Sequence, residues 1–248
     1  MAKKGLKYSD VEAAQSVNRL TEAFQYYLIK ASVELAKEKG PCEYFGRTKY
    51  SQGILPIDTY KRDVDEFLGT DLHYDWELLR REVAEHGMRH STLSAQMPSE
   101  SSSVASNETN GIEPPRAAMS TKKSKKGPLK QIVPQYSSLK NSYSYLYEEG
   151  VQDGYVKIVA AIQKYFDQGI SGNWSYNPKH YPSNEVPMSV MFRDLLTTYK
   201  LGWKTSYYQN TYDMKGEDED TLDNASATVL QLQQVIDDDS EVCDACNI

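Results

Sequence analysis

The stretch WELLRREVAEHGMRHSTLSAQMP, residues 76–98, changes from a helical to an extended pattern partway along its length. The first part predicts a helix that ends at Gly87, because glycine is the residue most often found just past a helix end. MRHSTLSAQM, residues 88–97, then predicts a strand, and Pro98 opens a turn. The stretch therefore predicts a helix followed directly by a strand.

The same order returns near the end of the chain. A helix is predicted from about Pro187 to Lys200, Gly202 closes it, and KTSYYQN, residues 204–210, predicts a strand. Repeated helix–strand order with helical sequence between is typical of an α/β fold. Two strands cannot form an α/β sheet that is covered on both faces, so we expect another chain to complete the sheet.

Two further segments have helical periodicity. Residues 9–39 place apolar side chains on two faces, which predicts a buried helix. One face holds Val17, Leu20, Phe24, Tyr27, Ala31 and Leu35, and the other holds Tyr26, Ile29 and Val33. DGYVKIVAAIQKYFDQGIS, residues 153–171, predicts another amphipathic helix.

Charge is distributed unevenly along the chain. The net charge is −7, and residues 213–248 contain eleven acids and one base, so the tail carries −10 and the rest +3. This balance argues against nucleic-acid binding, and the basic run TKKSKKGPLK is typical of a solvated turn. The acidic tail is predicted to be mostly disordered. The sequence contains no apolar run long enough for a membrane span and no apolar core of a signal peptide, so we expect a cytoplasmic protein.

A serine-rich segment follows Pro98. PSESSS predicts a turn leading into a helix, whose first backbone N–H groups, at Ser99, Glu100, Ser101 and Ser102, have no partner within the helix. Such a helix start can bind a phosphate through these N–H groups and the helix dipole. The alternative is an ordinary helix cap without a ligand.

Two residue pairs near the end of the chain suggest redox chemistry. Tyr207 and Tyr208 are adjacent on the last predicted strand, although packing alone would also explain two aromatic residues there. Cys243 and Cys246 form a CDAC motif within the last six residues, which is typical of a redox pair or a reactive tail. With Cys42 as the only other cysteine, the sequence favours no zinc site.

Several motifs together resemble the large subunit of class I ribonucleotide reductases. WELLRREVAEHGMRHSTLSAQMP resembles a signature of that family, PSESSS its diphosphate-binding loop, and NGIEPPR the segment after the loop. GPCEYFGRTKYSQGILPIDTYK and KTSYYQNT are similar to class I enzymes that use a separate radical-bearing small subunit. The terminal CDAC resembles the family's C-terminal redox pair.

The resemblance implies roles for individual residues. Backbone amides of Ser99 to Ser102 would hold the diphosphate of a ribonucleoside diphosphate. Tyr207 and Tyr208 would relay an oxidising equivalent from the small subunit, which carries the radical cofactor, expected to be a di-iron tyrosyl centre. Because two phenols that exchange a radical must stack closely, we expect the strand to end or distort at this pair, with both rings on the same side, toward the barrel interior. Cys243 and Cys246 would reduce the active-site disulfide and then be reduced by thioredoxin or glutaredoxin. This chain itself is expected to bind no metal.

The family fold implied by the resemblance is a ten-stranded α/β barrel of two half-barrels. Residues 1–110 would form a barrel segment with the phosphate-binding loop, and 111–187 an inserted small helical domain. Residues 188–214 would supply the last barrel helix and strand, and 215–248 a flexible redox tail.

Several functional residues of the family are missing from this sequence, because in the family they lie upstream of all the motifs found here. They include the thiyl-forming cysteine, its two partner cysteines, the Asn and Glu that handle substrate protons, and the allosteric sites. The tail cysteines are separated by two residues here and by four in several relatives, which puts their redox potential in doubt. We therefore expect this chain to be the C-terminal part of a large subunit. The subunit is either naturally split, as in a bacteriophage, or truncated. A phage protein would lie in the host cytosol. The alternative is a non-catalytic redox or scaffold protein with an exposed CxxC.

Overall fold

The computed structural model of the protein describes residues 1–124 and 127–212. It has mixed helical and sheet structure, as the sequence predicted. The eight α-helices of the described ranges are α1 (Val11–Lys39), α2 (Pro56–Thr59), α3 (Asp65–Leu68), α4 (Trp76–His86), α5 (Glu100–Ala105), α6 (Tyr136–Leu139), α7 (Val151–Gln163) and α8 (Met188–Lys200). The predicted disordered tail lies outside the described residues.

The helix ends follow local sequence signals. At the end of α4, Gly87 adopts a left-handed φ of 72° and its N–H donates to the carbonyl of Val83. The start of the same helix is capped by Asp75, whose carboxylate accepts the N–H of Leu78 at 2.8 Å. Gly202, just after α8, has a φ of 85°. These positions confirm the helix boundaries expected from the glycines.

The strands of the described ranges form two small sheets. β1 (Met119–Ser124) pairs antiparallel with β2 (Gly127–Ile132), and β3 (Gly172–Tyr176) pairs parallel with β4 (Ser206–Thr211). β4 is the strand predicted from KTSYYQN, whereas β1, β2 and β3 were not predicted. β3 alternates polar and aromatic residues only from Asn173 to Tyr176, a run at the lower length limit of a strand signal, and all five of its residues are buried.

The predicted strand at residues 88–97 is wrong as a regular strand. The segment is extended, but it makes one isolated parallel bridge, between Gln96 and Ile170. A strand assignment requires a ladder of backbone hydrogen bonds to a neighbour, and the described part of the chain supplies only short contacts here. The Gln168 N–H donates to the Ser94 carbonyl at 3.1 Å, and the Ser171 N–H to the Gln96 carbonyl at 3.0 Å.

α1 buries one of its two apolar faces. Tyr26, Ile29 and Val33 belong to a core formed with α4 and the segment around Tyr50. Leu20 and Phe24, from the other face, are exposed. The expected burial on both sides is therefore wrong for most of the second face, because among the described residues a core covers it only near Val17.

A second core surrounds α7 and the parallel strand pair. It contains most of α7, which is buried along nearly its whole circumference, together with Trp174, Tyr176 and Trp203, and the N-terminal residues of α1 pack against it. Gly154 on α7 allows the backbone of Tyr8 to approach closely, because a Cβ at this position would lie 1.8 Å from the Tyr8 carbonyl oxygen. This core packs β3 against the helices, and β4 is held beside β3 by strand pairing.

Residues 111–187, predicted to be a small helical domain, contain both helices and strands. They include β1, β2 and β3 as well as α6 and α7. The described part of the lysine-rich run in this range, predicted to be a solvated turn, lies on β1 and β2. Within the described ranges, no helix has the length and apolar character needed to cross a membrane.

Candidate functional site

The paired tyrosines lie at an irregularity of the β3–β4 sheet. Gly172 pairs with Ser206 and Trp174 pairs with Gln209, so two residues of β4, Tyr207 and Tyr208, lie opposite the single residue Asn173. This extra residue is a β-bulge. Because successive side chains of a regular strand point to opposite faces, only such a distortion brings two adjacent rings together.

The two phenol rings are in contact. Their centroids are 4.0 Å apart and the ring planes are inclined by 48°. Distortion of the strand at this pair and placement of the rings side by side were expected from the sequence, and both are confirmed. The rings are 48% and 57% exposed, so they line a surface of the described chain.

The contact affects the acidity of the first tyrosine. A hydrogen bond to Tyr208, together with the nearby Tyr208 phenol, raises the pKa of Tyr207 above the ordinary value of 10.0. The Tyr207 phenol therefore keeps its hydroxyl proton at neutral pH. A phenol in this state can lose an electron only together with that proton, which is the chemistry a tyrosine relay requires.

The bulge is stabilised by Asn173, a residue that the sequence analysis did not single out. The Asn173 Oδ1 accepts the backbone N–H of Tyr208 at 3.1 Å, and its Nδ2 donates to the Glu113 carboxylate. Neither residue type is unusual in sequence, and their contact joins positions 60 residues apart. The segment NGIEPPR contained Glu113, but its pattern carried no signal for this contact.

The serine-rich loop forms the start of α5. The Ser99 N–H donates to Asn110 Oδ1 at 2.6 Å, and the Ser103 N–H donates to the Ser99 carbonyl at 3.0 Å. The Ser99 amide is thus already bonded within the protein, which disagrees with its expected use as a phosphate donor in this state. At Glu100, Ser101 and Ser102, the first-turn position leaves the N–H groups without helical partners.

The extended segment before this loop is fixed by Asp167. One carboxylate oxygen of Asp167 accepts the Leu93 N–H at 2.7 Å, and the other accepts the Tyr50 hydroxyl. The Asp167 N–H donates to Ser94 Oγ at 3.1 Å, while Lys204 Nζ donates to the Asp167 carbonyl at 2.9 Å. Asp167 therefore links the segment leading into the loop with the residues leading into β4.

The predicted redox pair, Cys243 and Cys246, lies outside the described residues. Cys42 is partly buried and its N–H donates to the Met88 carbonyl at 2.9 Å. Among residues 1–124 and 127–212, no group of three or more His, Cys, Asp or Glu side chains is arranged to hold a metal ion.

Comparison with known proteins agrees with these motifs. The chain is 53% identical over 227 residues to the ribonucleoside-diphosphate reductase subunit alpha of Haemophilus influenzae, covering 92% of this chain and 30% of the relative. It is 53% identical over 222 residues to the Escherichia coli ribonucleoside-diphosphate reductase 1 subunit alpha, covering 90% of this chain and 29% of the relative. The corresponding Enterobacteria phage T4 subunit is 42% identical over 218 residues, with coverage of 87% and 29%.

These relatives are much longer than this protein, which spans about 30% of the length of the curated relatives it matches. The family description "Ribonucleotide reductase, barrel domain" matches residues 1–209. The resemblance stated from the motifs is confirmed. Because the match covers most of the 248 residues, the chain belongs to the ribonucleotide reductase barrel domain family.

Proposed function

We propose that this chain is the C-terminal part of a ribonucleoside-diphosphate reductase large subunit. Assembled with the remaining part of that subunit and with a small subunit, it would convert ribonucleoside diphosphates to deoxyribonucleoside diphosphates by radical chemistry. The observation that carries the proposal is the bulge at Tyr207 and Tyr208, which brings two phenols into ring contact on an exposed surface. Simple packing needs no such distortion of a strand.

The tyrosine pair would relay an oxidising equivalent. When one phenol is oxidised, it loses an electron and its hydroxyl proton, and the neighbouring tyrosyl radical regains both. A centroid separation of 4.0 Å keeps both transfers short. The radical would originate on the small subunit, at a di-iron tyrosyl centre, and continue to an active-site cysteine in the remaining part of the large subunit.

The loop at Ser99 to Ser102 would hold the substrate diphosphate. The first-turn N–H groups of α5 and the positive end of its dipole attract an anion. With the Ser99 amide bonded to Asn110, the N–H groups of Glu100, Ser101 and Ser102 would make the first contacts. A phosphate that also used Ser99 would have to replace the Asn110 side chain.

Cys243 and Cys246 would supply the reducing equivalents. As dithiols they would give two electrons and two protons to the active-site disulfide and become a disulfide themselves. Thioredoxin or glutaredoxin would then reduce them to the dithiol. The assembled protein would work in the cytoplasm, or in the host cytosol if it is encoded by a phage.

The division into segments follows from the same proposal, with one change. Residues 1–110 and 188–214 would be barrel segments and 215–248 a redox tail. Because α7 packs against α1 and β3 pairs with β4, the inserted segment would end before Val151 instead of at 187.

Phenylalanine substitution tests the relay. Tyr207→Phe and Tyr208→Phe should each reduce CDP turnover by the assembled enzyme to background, because phenylalanine has no hydroxyl proton to exchange. The melting temperature should change by less than about 2 °C, since both rings are about half exposed. Tyr44→Phe, at another exposed ring, is the matched control and should retain full turnover. A Tyr207 variant with near-normal turnover would leave packing as the role of the pair.

A further inference from the structure

We propose that Asn173 is the positioning residue of the tyrosine pair, and that Glu113 fixes the orientation of its amide. The inference rests on the relay proposed above, but it concerns how the bulge is specified and not what the bulge does. Asn173 is the single residue of β3 that lies opposite the two tyrosines. Its side chain is buried, so its polar atoms must find partners within the protein.

The bulge creates a need for a hydrogen-bond acceptor. An extra residue in one strand removes at least one N–H group from the regular ladder. Here Asn173 Oδ1 accepts the Tyr208 N–H at 3.1 Å and replaces the missing backbone acceptor. The side chain thereby stabilises the irregular register in preference to a regular one, in which Tyr207 and Tyr208 would point to opposite faces.

Glu113 determines which end of the Asn173 amide faces the tyrosines. A carboxylate only accepts hydrogen bonds, so it takes the Nδ2 group and leaves Oδ1 for the Tyr208 N–H. The backbone N–H of Asn173 is also held, by the Tyr155 hydroxyl at 3.4 Å. Burial, and then the charge of Glu113, raise the pKa of Tyr155, so the Tyr155 hydroxyl keeps its proton beside the amide.

The arrangement also connects the two parts of the candidate site. Glu113 belongs to the turn that follows Asn110, and Asn110 accepts the Ser99 N–H at the start of the phosphate loop. A hydrogen-bonded route therefore runs from the tyrosine bulge through Asn173 to the turn at residues 110–113, which also contacts the loop. Asn173 is placed to hold the relay at a fixed position relative to the substrate-binding segment.

Exchanging donor and acceptor tests this arrangement in the assembled enzyme. Asn173→Leu removes both polar atoms, and Asn173→Asp places two carboxylates against each other. We expect each to lower the kcat for CDP at least tenfold, with the KM changed less than threefold. Combining Asn173→Asp with Glu113→Gln restores one donor and one acceptor at each contact, and should recover at least half of the lost activity. Asn177→Asp, the same substitution just beyond β3, is the control and should have normal kcat.

A titration reports on position independently of turnover. In the unmodified protein the Tyr207 phenol, assigned by its loss in Tyr207→Phe, should titrate above pH 10 in carbon-13 NMR because Tyr208 is in contact with it. In Asn173→Leu its pKa should fall towards 10, and in the exchanged pair it should rise again. An unchanged Tyr207 titration in Asn173→Leu, or an exchanged pair no better than Asn173→Asp, overturns the inference. Full activity of Tyr207→Phe would instead overturn the relay and leave the titration result valid.

Discussion

At the residue scale, the buried hydroxyl of Tyr50 contacts Asp167, the residue that holds the segment before the serine-rich loop. Tyr50 is buried, its hydroxyl donates to Asp167, and it accepts a hydrogen bond from Gln25 Nε2 at 3.3 Å. Burial, followed by the Asp167 charge and hydrogen bond, raises the pKa of Tyr50 far above its ordinary value. Asp167 in turn holds the Leu93 N–H before the serine-rich loop. Protonated Tyr50 therefore supports the position of that loop.

This environment predicts a loss of stability at alkaline pH. In the unfolded chain Tyr50 ionises near pH 10, whereas in the folded protein it keeps its proton to higher pH. Its stabilising contribution is complete below pH 10 and is lost as the pH rises further, by about 1.4 kcal/mol per pH unit. Tyr50→Phe should make the fall in unfolding free energy above pH 10 less steep by about that amount. Denaturant unfolding of the chain in its complex with the upstream part, at several pH values, measures the slope, and an unchanged slope would contradict the prediction.

At the scale of elements, the contact between α7 and the N-terminal segment depends on one glycine. Gly154 lies where a Cβ would meet the carbonyl oxygen of Tyr8 at 1.8 Å. The Tyr8 segment is itself held in place, since the Tyr8 hydroxyl donates to the Ile112 carbonyl at 2.7 Å and Lys7 Nζ to the Tyr143 carbonyl at 2.6 Å. The backbone at Tyr8 therefore cannot move away from α7 without breaking these hydrogen bonds.

Gly154→Ala should therefore destabilise the protein despite the better helix propensity of alanine. Propensity alone favours alanine by up to about 1 kcal/mol, while overpacking against backbone costs about 1–3 kcal/mol or more. We expect a net loss of unfolding free energy, measured by chemical denaturation of the chain in its complex with the upstream part. Gly46→Ala is the matched control, because nothing lies within 4 Å of a Cβ there. A stabilised Gly154→Ala would show that the Tyr8 segment moves freely.

At the scale of the whole molecule, large apolar side chains remain uncovered on two helices. Leu20, Phe24 and Tyr27 are exposed on α1, and Met188, Phe192, Leu195, Leu196 and Tyr199 are exposed on α8. Several large apolar side chains exposed on one helix usually lie in an interface. The short two-stranded sheets indicate the same, since neither forms a covered barrel.

We predict that the chain alone folds poorly and has no reductase activity. Co-expression with the upstream part of the large subunit should give a stable complex, because the two would bury an apolar interface of the obligate kind. Analytical ultracentrifugation of the chain alone and of the co-expressed pair checks the association, and a CDP reduction assay checks the activity. Robust CDP reduction by the purified chain without a partner would contradict the prediction.

The tail cysteines give a further prediction at this scale. The 34 residues from Lys215 to Ile248, as a flexible chain, would have a root-mean-square span of roughly 30 Å and a full reach of about 110 Å. Replacing Cys243 and Cys246 by serine should permit about one turnover and stop cycling with thioredoxin, while dithiothreitol partly restores the rate. Unchanged steady-state turnover with thioredoxin would exclude a role for the pair.

Local sequence signals were enough to locate the long helices and the last strand. α1, α4 and α8 were predicted close to their ends, because the apolar period and the terminal glycines are local signals. The helix predicted at residues 153–171 exists as α7, but it ends at Gln163, so its predicted end is wrong. The contact between Tyr207 and Tyr208 was also predictable, since adjacent phenols that exchange a radical must leave the regular strand geometry. The family followed from several motifs in order along the chain.

Contacts between segments that are distant in sequence decided the features that the sequence did not predict. The bulge depends on pairing with β3 and on Asn173, which lies 35 residues before Tyr208. The Ser99 N–H is hydrogen-bonded because Asn110 lies beside it. Residues 88–97 do not form a regular strand because the only strand-like pairing there, among the described residues, is the bridge from Gln96 to Ile170. The buried face of α1 was likewise selected by the helices packed against it, because an apolar residue is buried only where another element covers it.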